Sequence, residues 1–345
     1  MEKVAIIGMG LIGTSIGLGL RDWAGRERGN AGKLRVVGFD IDMAQQQQAK
    51  KMKATDDMSW DMPSVVKDAD LVVVAVPVGA VPQVFETIGD HLKHGSVVTD
   101  VCSTKGQVLR WAKELLPTTC SFVGGHPMAG KTQSTEAAEA TLFTGATWCV
   151  CPSVRASETA VQTVLGMIAA LGAEAQFIDA DEHDGFVGAV SHLPFILSSA
   201  LMTTVSASPA WRDMKLLSAS GFRDTSRLAA GSPDMYRDIC VTNRDSILRW
   251  LDEYMVTLQQ IRALVADQGP EQGERLHAYF TKARDARADW ATAERTDGQL
   301  AQETEAELSK TALTNQFGQM LFGGLARRRL ESGAEPKRRE RADRK

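Results

Sequence analysis

The sequence predicts a doubly wound, parallel α/β sheet followed by an all-α domain, and three observations carry that prediction. Short apolar runs alternate with helix-like segments through the first half. A glycine-rich turn joins the first run to the first helix. Beyond about residue 155 the chain turns helical almost throughout.

The runs at residues 3–8, 35–40, 71–76 and 96–100 are short, rich in β-branched residues and bounded by Gly, Pro or Asp. Further strands are expected at 122–124 and 146–151. Continuous apolar runs, rather than alternating ones, suit strands buried on both faces of a parallel sheet. Segments 11–23, 42–51, 80–92 and 105–116 read as the intervening helices, which gives a βαβ series. A last strand is expected at 175–178. Segment 181–206 is apolar around much of its circumference, as in a helix buried in a bundle or an interface. Helices follow at 209–220, 233–242, 243–267 and 271–292.

This organisation divides the chain into residues 1–180, a helical domain at 181–292, and a polar tail at 293–345 that reads as partly disordered. The tail holds an apolar patch at 313–325, which reads as a docking helix, and a run of arginines from Arg327. At 345 residues the chain fits two domains rather than one core. Its net charge of -4 gives no electrostatic case for nucleic acid or membrane. No signal peptide and no unbroken apolar run of membrane-spanning length is expected. Five cysteines scattered through regular structure suggest a reduced, cytoplasmic protein. Cys149 and Cys151 have no zinc-like partners nearby in sequence, so no metal is expected.

Gly8-Met9-Gly10-Leu11-Ile12-Gly13 closes the first strand and opens the first helix. In that context each glycine has a job: a tight turn, close approach of backbone to a pyrophosphate, and close helix–strand packing. The helix N-terminus then offers free N–H groups and a positive dipole end to the phosphates. This is a Rossmann-type fingerprint. The acid that accepts from the ribose hydroxyls is expected about 20 residues on. Asp40 comes later, because the polar stretch 24–33 reads as a loop insertion. Asp42 is the second choice. A carboxylate there repels a 2′-phosphate, so NAD is expected over NADP. Val76 and Pro77 end a strand at the carboxyl edge, where cofactors lie.

Four further local sequences stand in order: Asp100-Val101-Cys102-Ser103-Thr104-Lys105, His126-Pro127-Met128-Ala129-Gly130, Ser191-His192-Leu193-Pro194, and Gly221-Phe222-Arg223-Asp224-Thr225-Ser226-Arg227-Leu228-Ala229. With the glycine motif they resemble the prephenate/arogenate dehydrogenase family of tyrosine biosynthesis, over roughly residues 3–290 on a domain-scale reading. The resemblance implies NAD-dependent oxidative decarboxylation of a cyclohexadienol. A homodimer is expected because the long apolar helices from 181 onward exceed what one small helical domain can bury alone. It implies that His126 is the catalytic histidine and that Ser103 hydrogen-bonds near the same hydroxyl. It further implies that Arg227 binds the ring carboxylate, that His192 contacts the substrate side chain, and that Tyr236 lines the pocket. A neutral imidazole suits the carbinol proton, and a guanidinium suits a carboxylate.

Each of these residues also has a plainer use. Ser103 is placed to cap the following helix, and His192 to serve as a buried structural histidine. Arg223 is the second choice for the ring carboxylate, with pairing to Asp224 or Asp238 the role expected of it, and Asp100 is expected to form an ordinary ion pair. Lys131 follows the histidine motif as a candidate for attracting a carboxylate. His91, His94, His183 and His277 read as surface residues. The sequence departs from the family pattern at Phe195, where a histidine is usual, which leaves prephenate against arogenate open. The alternatives are a β-hydroxyacid-type dehydrogenase of the same architecture and a non-catalytic NAD-binding sensor.

Overall fold

The computed structural model describes residues 2–26, 34–130 and 135–308, with backbone alone for 293–308. Lys131, most of the expected loop insertion, the apolar patch at 313–325 and the arginine run lie outside the described residues.

The first half forms β1 (Lys3–Ile7), α1 (Leu11–Arg26), β2 (Arg35–Phe39), α2 (Met43–Lys51), β3 (Asp57–Met58), α3 (Met62–Val66), β4 (Leu71–Val74), α4 (Val81–Gly89), β5 (Val97–Asp100), α5 (Gly106–Leu115), β6 (Ser121–Pro127), β7 (Thr147–Pro152), α6 (Glu158–Ala170) and β8 (Glu174–Phe177). One eight-stranded sheet results, in the order β3-β2-β1-β4-β5-β6-β7-β8. All pairs are parallel except β6–β7. The order reverses between β1 and β4, so a crevice opens at their carboxyl ends, where ligands bind in such sheets.

The strand period explains why these runs are continuously apolar. Val4, Ile6, Leu71 and Val73 face one core cluster with α1 and α6, whereas Ala5, Ile7, Val72 and Val74 face the other with α3, α4 and α5. Both sides of the sheet are therefore covered, and each such side chain contributes roughly 1.5–3 kcal/mol by burial. The two-residue β3 and the one-turn α3 carry too little pattern to be read in advance.

The second half is helical: α7 (Ala180–Val187), α8 (Leu193–Ser206), α9 (Trp211–Met214), α10 (Ser220–Ser226), α11 (Pro233–Thr242), α12 (Arg244–Ala266) and α13 (Gln272–Leu308). A π turn at Gly188–His192 joins α7 to α8, with Leu193 N–H bonded to the Gly188 carbonyl. Pro194 follows at once and has no N–H to restore the ordinary register. The continuous stretch Ala180–Ser206 is long and apolar enough, by length and composition, to cross a membrane, and a third of that window is buried within the protomer. A search for unbroken apolar runs misses it because His183, Asp184 and His192 interrupt the run.

Helix α13 continues to Leu308, well past the residue 292 at which the sequence pattern fades. Many large apolar side chains of this half remain exposed, among them Val190, Leu217, Val241, Met255, Val265 and Phe280.

The two halves meet through polar contacts at the carboxyl edge of the sheet. Gly79 N–H donates to the Asp238 carboxylate (3.2 Å), and the hydroxyls of Thr104 and Thr242 are 3.0 Å apart. A Cβ at Gly79 would lie 2.5 Å from that carboxylate, so the approach of α11 requires glycine there.

Candidate active site

The glycine loop after β1 shows three different reasons for glycine. Gly8 has φ +93°, and a Cβ there would stand 2.4 Å from the Ala75 carbonyl oxygen. A Cβ on Gly13 would stand 1.9 Å from the Gly8 oxygen, so α1 packs directly on the turn. A Cβ on Gly10 would meet nothing within 4 Å. The loop is thus closed on its protein side and open at Gly10, the side from which a pyrophosphate would approach the first turn of α1.

Met9 is wholly buried beneath this loop, and Leu11 and Ile12 are half-buried at the start of α1. Asp40, at the end of β2, accepts from Met9 N–H (2.6 Å) and Asp42 N–H (2.8 Å). A carboxylate has about four acceptor sites, so two remain for a ribose. Asp42 caps α2 through Ala44 N–H (2.8 Å), which gives it a local role that Asp40 lacks. Val76 and Pro77 follow β4 across the same crevice, with Val76 half-buried and Pro77 exposed. This donor and acceptor set fits a dinucleotide.

The chemical half of the site is built around His126, at the end of β6. Its Nδ1 lies 2.9 Å from Nε2 of His183, and His183 Nδ1 lies 2.9 Å from the Asp184 carboxylate. The roles follow from the last member. A carboxylate accepts, so His183 donates from Nδ1 and accepts at Nε2, and His126 therefore donates from Nδ1. That leaves His126 Nε2 as the nitrogen carrying a lone pair. Burial first, then the neighbouring His183, Lys105 and His192, hold the His126 pKa well below the ordinary histidine value. The ring is neutral at neutral pH, the state a general base requires.

His183 belongs to α7 and is wholly buried, not on the surface as its polar sequence neighbours suggested. The segment Asp181-Glu182-His183-Asp184 reads as a solvated face. Its buried side is visible only once α7 lies against α5. The one available signal was the adjacent His-Asp pair just ahead of the apolar stretch.

Asp184 has a second task. Its carboxylate accepts from Lys105 N–H (2.7 Å) and Gly106 N–H (2.9 Å), capping α5 from the other half of the molecule. Ser103 therefore does not cap that helix, and among the described residues its hydroxyl makes no hydrogen bond. Ser103 stands half-buried in the β5–α5 loop. Asp100 does form an ion pair, but a wholly buried one, with Lys105. Lys105 also donates to the Gly125 carbonyl (2.7 Å), and Asp100 accepts from Cys102 N–H (2.9 Å) and Gly125 N–H (3.1 Å). The residue before His126 is thereby fixed from both sides.

His192 ends the π turn and is wholly buried. Its Nδ1 lies 3.0 Å from the Asn243 amide nitrogen, which donates, and the same amide bonds the Asp184 carbonyl (2.7 Å). Nε2 has no partner among the described residues. Burial is the main cause that lowers the His192 pKa to about 4. Asn243 was not singled out from sequence, since an asparagine between two helices reads as a terminator.

Tyr236 on α11 stacks on Phe195 of α8, with ring centroids 4.0 Å apart and planes at 2°. Its hydroxyl donates to the Leu228 carbonyl (2.6 Å). Ser198 accepts from Ala229 N–H (3.0 Å), so the turn that carries Arg227 is pinned on both sides. Arg227 itself is exposed and forms no ion pair among the described residues. Arg223 likewise has none among the described residues, with Asp224 or with Asp238; the Asp238 carboxylate pairs with Arg237 instead (2.7 Å). Phe195, where the sequence departs from the family pattern, is buried by its stack on Tyr236.

Residues 24–177 match the family model for the nucleotide-binding domain of prephenate dehydrogenase, and residues 179–282 match that for its dimerization domain. The chain is 34% identical over 289 residues to a prephenate dehydrogenase of Bacillus subtilis, covering 83% of this chain and 75% of that protein. A prephenate dehydrogenase of Aquifex aeolicus, solved with hydroxyphenyl propionate and NAD+, superposes with a TM-score of 0.75 at 25% identity, over 84% of this chain and 98% of that one. The arogenate dehydrogenase of Synechocystis superposes with a TM-score of 0.67 at 26% identity, over 83% and 99%. With both halves matched in order, and with a glycine loop and a histidine relay set at one sheet edge, the chain belongs to the prephenate dehydrogenase family.

Proposed function

We propose that this protein catalyses the NAD-dependent oxidative decarboxylation of prephenate to 4-hydroxyphenylpyruvate, or of arogenate to tyrosine, in tyrosine biosynthesis. The observation that carries the proposal is the His126–His183–Asp184 relay at the sheet edge that holds the glycine loop. Bound NAD+ supplies the hydride acceptor for the carbinol carbon, and the ring carboxylate leaves as carbon dioxide as the ring becomes aromatic.

His126 takes the carbinol proton at Nε2, while His183 and Asp184 hold the tautomer that exposes the lone pair. Ser103, with a hydroxyl not used by the helix it precedes, hydrogen-bonds at the same oxygen. Arg227 binds the ring carboxylate; its exposure and lack of an ion pair leave the guanidinium available to a substrate anion. Tyr236 and Phe195 form the apolar wall beside it, and His192, whose Nε2 has no partner among the described residues, contacts the substrate side chain. Gly8, Met9, Gly10, Leu11, Ile12 and Gly13 cradle the pyrophosphate, Asp40 accepts from the ribose, and Val76 and Pro77 bound the cofactor cleft.

A dimer of identical chains accounts for the apolar side chains left exposed in the helical half. It also gives the apolar stretch Ala180–Ser206 a protein partner rather than a lipid one. Five free thiols accord with a cytoplasmic setting.

The test is NADH formation by the purified protein with prephenate and with arogenate, each with NAD+ and with NADP+. Turnover of either substrate with NAD+ is expected. A folded protein that binds NAD+ and turns over neither would defeat the reading.

A further inference from the structure

A second concave site lies at the opposite edge of the sheet. There a cavity of about 340 Å³ opens beside the C-terminal half of α5, the turn into β6 and the segment that leaves β7. Because β7 runs antiparallel to β6, the start of one and the end of the other meet at this edge. Phe122 on its wall and His126 are both on β6, and the strand between them separates the cavity from the histidine by roughly 13 Å at about 3.3 Å per residue.

The walls are apolar: Leu109, Ala112, Leu116 and Phe122 line it, and all four belong to or pack on the core cluster of that face. Arg110, Lys113 and Arg155 also line it, and no carboxylate does. None of the three cations forms an ion pair among the described residues, and Arg110 rests on the Gln107 side-chain oxygen (2.9 Å).

Volume, wall and charge together select one class of occupant. The space is near the lower end of small-molecule sites, about 300–1,000 Å³, which is too small for a dinucleotide. The wall recovers free energy only from an apolar body. Lys113 and Arg155 repel a cation, including the basic end of this chain, and attract an anion, while the Arg110 guanidinium is turned back onto Gln107 in the first turn of α5. We propose that this cavity binds a small amphipathic anion, a single ring or short acyl chain carrying one carboxylate, as a site separate from the catalytic cleft. The site has a mechanical link to the cleft: the helix whose last turns form its wall is the one whose first turn is capped by Asp184.

The test uses the full chain with saturating NAD+. The probe 8-anilinonaphthalene-1-sulfonate is titrated by fluorescence, then displaced with octanoate, octan-1-ol or octylamine. Octanoate should displace it, octanol should require at least about tenfold more, the worth of one charge-assisted contact, and octylamine should fail. The combined Arg110→Gln, Lys113→Gln and Arg155→Gln variant should weaken octanoate by about tenfold or more, with near-ultraviolet circular dichroism unchanged. Cys120 also lines the cavity, so octanoate should slow its alkylation by iodoacetamide in the unaltered protein, read by peptide mass. Equal displacement by acid and alcohol, undiminished octanoate binding in the variant, or no protection of Cys120 would each overturn the proposal.

Discussion

Nδ1 of His126 and Nε2 of His183 stand 2.9 Å apart, and one ring is held by the sheet while the other is held by the helical half. The proton order along this pair is set from the far end, by the Asp184 carboxylate. Replacing His183 therefore disturbs His126 without removing it. His183→Ala should lower kcat/KM by about 10–100-fold, the usual cost of losing an orienting partner, and should alter its pH profile. NAD+ affinity should stay unchanged. His126→Ala should lose about 10²–10⁴-fold. Steady-state kinetics with calorimetric NAD+ titration checks both, and an unchanged pH profile in His183→Ala would count against the relay.

The glycine loop separates folding from binding. Gly10→Ala adds a methyl group into open space, so thermal stability should hold while NAD+ affinity falls. Gly8→Ala adds one against the Ala75 carbonyl at positive φ, so the fold itself should weaken, by roughly 1–3 kcal/mol for the strain alone. Thermal unfolding in the absence of cofactor distinguishes the two. Equal loss of stability in both would refute the assignment of the open side.

Arg227 is exposed and unpaired among the described residues, so Arg227→Ala should leave stability within about 0.5 kcal/mol. Its effect should fall on substrate binding, with KM raised about tenfold or more. Arg227→Lys should recover part of the loss. A KM unchanged in Arg227→Ala would move the carboxylate contact elsewhere.

Lys105 and Asp100 form a wholly buried pair. Removing one partner strands the other, so Lys105→Met should cost about 3–5 kcal/mol. Lys105→Met with Asp100→Asn should cost less than the single change. Urea unfolding of the four proteins of this cycle measures the difference.

Acid should weaken the fold through its buried histidines. The His192 pKa falls from 6.5 to about 4 on folding, and that of His126 is also lowered. The unfolded chain then binds protons that the folded one refuses. The stability from these groups is complete above pH 6.5 and is lost as pH falls from there toward 4. His192→Asn should flatten the stability–pH curve over that window. An unflattened curve would place the acid sensitivity in other groups.

Much of the sheet was legible because its strands are buried on both faces, which makes Leu71–Val74 or Lys3–Ile7 unmistakable as short apolar runs. The glycine loop was legible for a related reason, since steric need leaves a single residue type at Gly8 and Gly13. The relay was not. His126 announced itself beside Pro127, but His183 and Asp184 sit among acidic residues, and their burial depends on α7 meeting α5 across the two halves. Asn243 escaped for the same reason, since its partners lie on α7 and the π turn. The length of α13 was underestimated because a polar helix shows no apolar period to count.

Asp184 ties the start of a helix in one half of the molecule to a histidine pair that spans both. The lone pair of His126 is consequently a property of the assembled molecule and not of the nucleotide-binding half in which it resides. Should the helical half swing away, the cofactor cradle would survive intact while the imidazole lost its defined proton placement. The contact between the halves thus does chemical as well as structural work: the cradle belongs to one half alone, whereas the orientation of the proton acceptor belongs to both.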